Sequence, residues 1–154
     1  MTPGPMHFAP RSSRGAVGGI EVLPFGVLIF VAGSLLLANL WAVLDAKLTV
    51  EAAAREASRA YAEAPNASSA EADAGRAAGE VVTGAGRNPS RLELHDNHPR
   101  FVRCAVIEHR ASYRLPALTV PFLGGIGTGT TVTGRHREVI DPFGAGLEPG
   151  GSCD

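Results

Sequence analysis

An excess of charge of either sign is missing from this sequence: 14 Lys and Arg stand against 15 Asp and Glu, a formal net charge of −1. No bulk field therefore argues for a nucleic acid or an acidic partner. Aromatic residues are also scarce, at 6%, which disfavours a platform on which bases could stack. No Ser, His and acid arrangement, paired carboxylate site or zincin spacing is recognisable, so no enzyme, cofactor or small-molecule substrate is expected.

Charge is absent altogether from Val22 to Leu44, VLPFGVLIFVAGSLLLANLWAVL. As a helix at 1.5 Å per residue this run is about 34 Å long, enough for the roughly 30 Å hydrocarbon core of a bilayer. A buried core helix, a cleaved secretory signal and a true span all begin from such a run. Its length argues against the first. A secretory signal has an apolar region of roughly 7 to 15 residues and ends in a small-x-small site. Here the run is longer and continues as DAKLTVEAAAREASRAYAEA, a helix-forming stretch in which Leu44, Leu48 and Ala52 line up ahead of Glu56 and Arg59. Pro65 is the expected stop. The favoured reading is a span at 22–44 inside a long helix over 16–64.

The flanks set an orientation. Arg11 and Arg14 precede the run with no acid among the first twenty residues, whereas Asp45, Lys47 and Glu51 nearly cancel on the other side. By the positive-inside rule the N-terminus is cytoplasmic and everything after the span is extracytoplasmic. Residues 1–15, rich in Pro, Ser and Gly, read as a disordered cytoplasmic leader.

Glu21 stands at the edge of the apolar run, where a carboxylate is costly to draw into hydrocarbon unless it is paired or protonated. It is either an interfacial acid that snorkels or a charge seeking a cation on a neighbouring subunit. Pro24 removes the hydrogen bond to the Ile20 carbonyl and either starts the helix or kinks it there.

Residues 65–145 read as an extracytoplasmic α+β domain, and 146–154 as a flexible Gly-rich tail. Ser68 and Glu71 form a capping-box pattern, followed by a thin stripe of Ala70, Ala74, Ala77, Ala78, Val81 and Val82 that ends at Gly84. Asn66 opens a glycosylation sequon but is better explained by capping or turn use. RLELH, FVRCAVIEHRASYRL and TTVTGRHREVI are strand candidates. Three antiparallel strands covered by the long helix complete the expected α+β fold. LGGIGTGT, which has no Lys for a phosphate, reads as a flexible connection. His95, Asp96 and His98 lie in a stretch, HDNHP, whose composition is turn chemistry more than metal chemistry. Cys104, placed within the second strand, and Cys153 form a bridge, stay apart as a buried thiol and a mobile tail cysteine, or pair between molecules.

The string RGAVGGIEVLPFGVLIFVAGSLLLANLWAVLDAKLTVEAAAREASRAY resembles the N-terminal helix of TadE-like minor pilins, the pseudopilins of the tight-adherence (Flp) branch of type IV pili. The features that carry the resemblance are Arg14 and Gly15, Glu21, Pro24, and the segment Ala53 to Arg59. The resemblance implies a pilin-like fold and cleavage by a membrane prepilin peptidase at Gly15 or Ala16. It also implies a role for Glu21 in pairing with a neighbour's new amino terminus as pilin or pseudopilin subunits assemble at the cell surface. Cleavage after Gly15 makes Glu21 the sixth residue and cleavage after Ala16 the fifth, and Val22 stands where the family carries Phe. The alternative expectation is a signal-anchored exported protein, unrelated to pili, whose outer domain binds a partner.

Overall fold

A computed structural model describes residues 22–97, 99–120, 124–143, 147, 148, 150 and 153. Glu21, Gly15 and Ala16 lie outside the described residues, as does His98. The chain is α+β: helix α1 (Val22–Ala62), helix α2 (Ala67–Gly84), a 3-10 turn (Pro89–Arg91), and strands β1 (Leu92–Asp96), β2 (Val106–Val120) and β3 (Gly124–Val139). The strands form one antiparallel sheet in the order β1-β2-β3. Two compact units divide the chain, residues 1–37 and residues 38–154.

In the second unit, α1 packs through small residues. Ala46, Val50, Ala53, Ala54, Ala57 and Tyr61 are buried, joined in one cluster with Ala70, Ala74, Ala78 and Val82 of α2. The row Leu44, Leu48, Ala52 is not this packed face, since Leu44 and Leu48 are exposed. Alanines bury little area each but let backbones approach closely. Strand β3 meets the α1 backbone closely at Gly134, where a Cβ would stand 2.6 Å from the Glu51 nitrogen. Only glycine fits there.

On β2 the alternation that one buried face demands is complete: Ile107, His109, Ala111, Tyr113 and Leu115 point inward, and Glu108, Arg110 and Arg114 point away. The register slips between Arg114 and Pro116, because proline has no N–H for the ladder and is accommodated at a bulge.

Helix α2 begins at Asn66, whose side chain accepts from the Ser69 N–H, and not at the Ser68 capping box. The asparagine side-chain carbonyl, two residues earlier, reaches the orphan donors first. Past the C-terminus of α2, Gly86 takes φ 70 and the Arg87 N–H returns to the Val82 carbonyl at 3.0 Å, which satisfies the final turn. Arg87 then reaches across to α1, contacting Asp45 Oδ2 at 2.6 Å and the Ala42 carbonyl at 3.2 Å, with its guanidinium 5.7 Å from the Tyr113 ring centre.

Three local expectations are corrected. LGGIGTGT is not a loose connection, because β3 starts at Gly124 and pairs as far as Val120↔Gly124; the ladder overrides glycine's weak strand preference. His95 lies in β1 as the RLELH strand candidate has it, opposite Arg110, whereas Asp96 is not turn but the last residue of β1, opposite His109. Cys104 precedes β2 in a turn, with φ 62. A backbone in that left-handed region cannot lie in a strand.

Candidate functional site

Two features of the described residues stand apart from ordinary packing: the apolar half of α1, and the polar pair inside the domain.

Every residue of α1 from Val22 to Ser34 is exposed. The large side chains include Phe25, Ile29, Phe30, Leu36 and Leu37, with Phe30 and Leu36 each 74% exposed. This window of α1 is long and apolar enough to cross a membrane, and none of it is buried. Water is a poor solvent for such a surface, at roughly 25 cal/mol per Å² of apolar area, and contiguous patches of this kind mark membrane or protein contact. Pro24 lies in the first described turn of α1, where a missing N–H is tolerated. The residues before Val22 that decide between a helix start and a kink are outside the described set.

Within the domain, Ser58 of α1 and His109 of β2 are 0% and 2% exposed, with Ser58 Oγ 3.2 Å from His109 Nδ1. The hydroxyl also donates to the His136 carbonyl at 3.2 Å, so its one proton is committed and Nδ1 is the donor to Oγ. Tyr61 packs its ring edge against the imidazole, with centroids 5.5 Å apart. Burial lowers the His109 pKa, while the charges of Asp96 and Glu71 oppose that fall. Sequence reading missed this grouping of Ser58, His109 and Asp96, because the residues lie far apart in the chain and carry no motif. It is no nucleophile geometry: Ser58 has no surface to offer a substrate, and its proton is turned to a backbone carbonyl instead of a base. The pair ties α1 to the centre of the sheet.

No protein family model, curated protein or solved structure matches this chain.

Among the described residues no group of His, Cys, Asp and Glu has metal-site geometry. The ion pairs of α1 and α2 are solvent-facing: Arg59 is shared by Glu56 and Glu63, and Arg76 by Asp73 and Glu80. Such pairs are worth little each. Cys104 and Cys153 are joined as a disulfide, with Cα atoms 5.0 Å apart. The Arg103 N–H donates to the Glu148 carbonyl and the Cys104 N–H to the Ile140 carbonyl, so the segment after β3 folds back onto the turn before β2.

Proposed function

We propose that this chain is a single-pass membrane subunit of the TadE-like minor pilin kind. In this reading α1 holds it in the cell membrane with its N-terminus cytoplasmic and its α+β domain outside. It helps to assemble or initiate a tight-adherence pilus by packing its helix against other pilin or pseudopilin subunits. The role is non-enzymatic.

The observation that carries the reading is the composition of α1 itself. One uninterrupted helix has an apolar first half of which none is buried and a second half, rich in alanine, built into the core of an α+β domain. A free-standing domain has no use for the first half, whereas a subunit that is stored in a bilayer and then bundled with its neighbours uses both. The Arg14, Gly15, Glu21 and Pro24 pattern supports the choice of family, with a prepilin peptidase as the processing partner.

Mass spectrometry of the N-terminus of membrane-extracted protein tests this reading. A mature chain starting at Ala16 or Val17 supports it, and an untrimmed leader contradicts the pilin assignment. A periplasm-active reporter fused after Ser152 tests orientation: activity is expected in the exported compartment, and cytoplasmic activity overturns the topology.

A further inference from the structure

The sheet packs one face on α1, and its other face carries a surplus of positive charge. Ile107, His109 and Ala111 of β2 face the core, so the residues between them face away. Among the described residues that outer face holds Arg110, Arg114, Arg135 and Arg137 against Glu93 and Glu108. Both acids are engaged. Glu93 meets Arg114 at 3.6 Å. Glu108 pairs with Arg137, whose hydrogen bond holds the Glu108 carboxyl below its usual range against an opposing effect of desolvation, with the charges of Arg135 and Arg110 adding to the fall. At the β3 edge Lys47 donates to the Thr133 carbonyl and pairs with Glu51. Glu108 is only 18% exposed and Arg137 73%, so the charge this face turns to solvent is mostly positive.

The helical layer presents the converse. Glu56, Arg59 and Glu63 of α1 and Asp73, Arg76 and Glu80 of α2 line a groove of about 520 Å³ between the helices. The two rows share one spacing: an acid, an arginine three residues on, and a second acid four beyond that. In each row the arginine reaches both acids at 2.8–3.1 Å, so each row keeps one negative charge in excess. At roughly 100° per residue, Glu56 and Ala60 stand about 160° round α1 from Ser58, which faces the sheet. The groove therefore lies on the far side of the helices, back to back with the arginine face.

We propose that the domain docks on further copies of its own chain, the groove between α1 and α2 of one copy receiving the outer sheet face of the next. Each face pairs its minority charge internally and offers its majority charge outward: an arginine between two acids on the helices, a glutamate among arginines on the sheet. Pairs within one exposed face are worth little, whereas opposed surpluses on two faces steer encounter and fix orientation. Arg110 and Arg135 are direct cross-strand partners, an arrangement that like charges disfavour, and a carboxylate from the neighbour's groove relieves it. Because the two faces differ and lie back to back, the contact is head-to-tail and repeats as an open row instead of closing as a two-fold dimer. It adds a domain contact to the proposed packing of α1 and depends neither on the leader nor on Glu21.

The test uses the full chain in detergent at low salt. Two variants, Ala77→Cys in the groove and Thr133→Cys on the outer sheet face, are mixed and treated with a short bismaleimide; the native cysteines are joined to each other and do not react. A link between positions 77 and 133 is expected, with 77–77 and 133–133 links at background. Absence of the 77–133 link, or a predominance of either symmetric link, overturns the contact. Charge reversal then reads the complementarity, with Glu63→Lys and Glu80→Lys together in the groove, or Arg110→Glu and Arg135→Glu together on the sheet. Carried by every chain, either reversal should lower the yield of the 77–133 link by about tenfold. With the groove reversal on the Ala77→Cys chain and the sheet reversal on the Thr133→Cys chain, the link should return. Where a reversal unfolds the domain, Glu63→Gln with Glu80→Gln takes its place and should lower the yield by a smaller factor. Unchanged yield, or no return in the mixture when both variants melt as wild type does, overturns the proposal. A trimmed leader without the 77–133 link removes this contact and leaves the pilin reading, and the link with an untrimmed leader does the reverse.

Discussion

Ser58 Oγ accepts from His109 Nδ1 at 3.2 Å while its own proton goes to the His136 carbonyl, so one hydroxyl joins α1 to two adjacent strands. Buried polar groups are tolerated when each partner is satisfied. Replacing Ser58 by alanine strands an imidazole N–H and a carbonyl in the core. The expected cost is about 1–3 kcal/mol, read as a lowered denaturant midpoint. An unchanged midpoint means that the pair is not a tie.

The same histidine makes stability depend on pH in a definite direction. Burial lowers the His109 pKa below its unfolded value of about 6.5, so below that value the unfolded chain binds the extra proton and the folded chain resists it. Stability is full above about pH 6.5 and falls as the pH drops toward the folded value. Melting of the domain at pH 7.5 and pH 5.5 should show this loss in wild type, with a smaller loss in His109→Gln. Equal losses contradict the assignment.

Gly134 is the position where β3 rides against the α1 backbone. A Cβ there would stand 2.6 Å from the Glu51 nitrogen and 2.7 Å from its Cα, and neither atom is free to swing aside. Gly134→Ala should destabilise by roughly 1–3 kcal/mol, and Gly134→Val by more. Thermal denaturation checks the order, and a neutral alanine variant contradicts it.

The bridge between Cys104 and Cys153 closes 49 residues of separation. In the chain-entropy view it should stabilise the domain by about 2–4 kcal/mol. Non-reducing peptide mapping of protein recovered from cells should find the two cysteines in one linked fragment, and Cys153→Ser should lower the melting temperature. Two free thiols in the recovered protein contradict the bridge.

Elements governed by periodicity were legible in the sequence. The apolar run, the α2 stripe and the inward side of β1 follow from residue patterns that report local geometry directly. What the sequence did not show was set by partners distant in the chain. The β3 glycines became strand because β2 supplied a ladder, and the face of α1 chosen for packing was the alanine face that allowed Gly134 to approach. Ser58 and His109 gave no signal, since 51 residues separate them and neither sits in a motif. Their only trace in the sequence is a polar residue on an otherwise small apolar helix face, matched by a histidine at an inward strand position.

Glu21 is where the proposed function is most exposed to refutation, and the decisive measurement is co-purification of Glu21→Gln with the major pilin, alongside a count of surface pili. A carboxylate that pairs with a neighbour's cation in a low-dielectric bundle leaves that cation uncompensated when it is neutralised, at a cost of about 3–5 kcal/mol. That is enough to stop docking, and it gives the isolated helix no reason to leave the membrane. Assembly through Glu21 therefore predicts normal abundance and membrane insertion with pili and co-purification lost or sharply reduced. Normal pili and normal co-purification would contradict it and leave a plain membrane anchor.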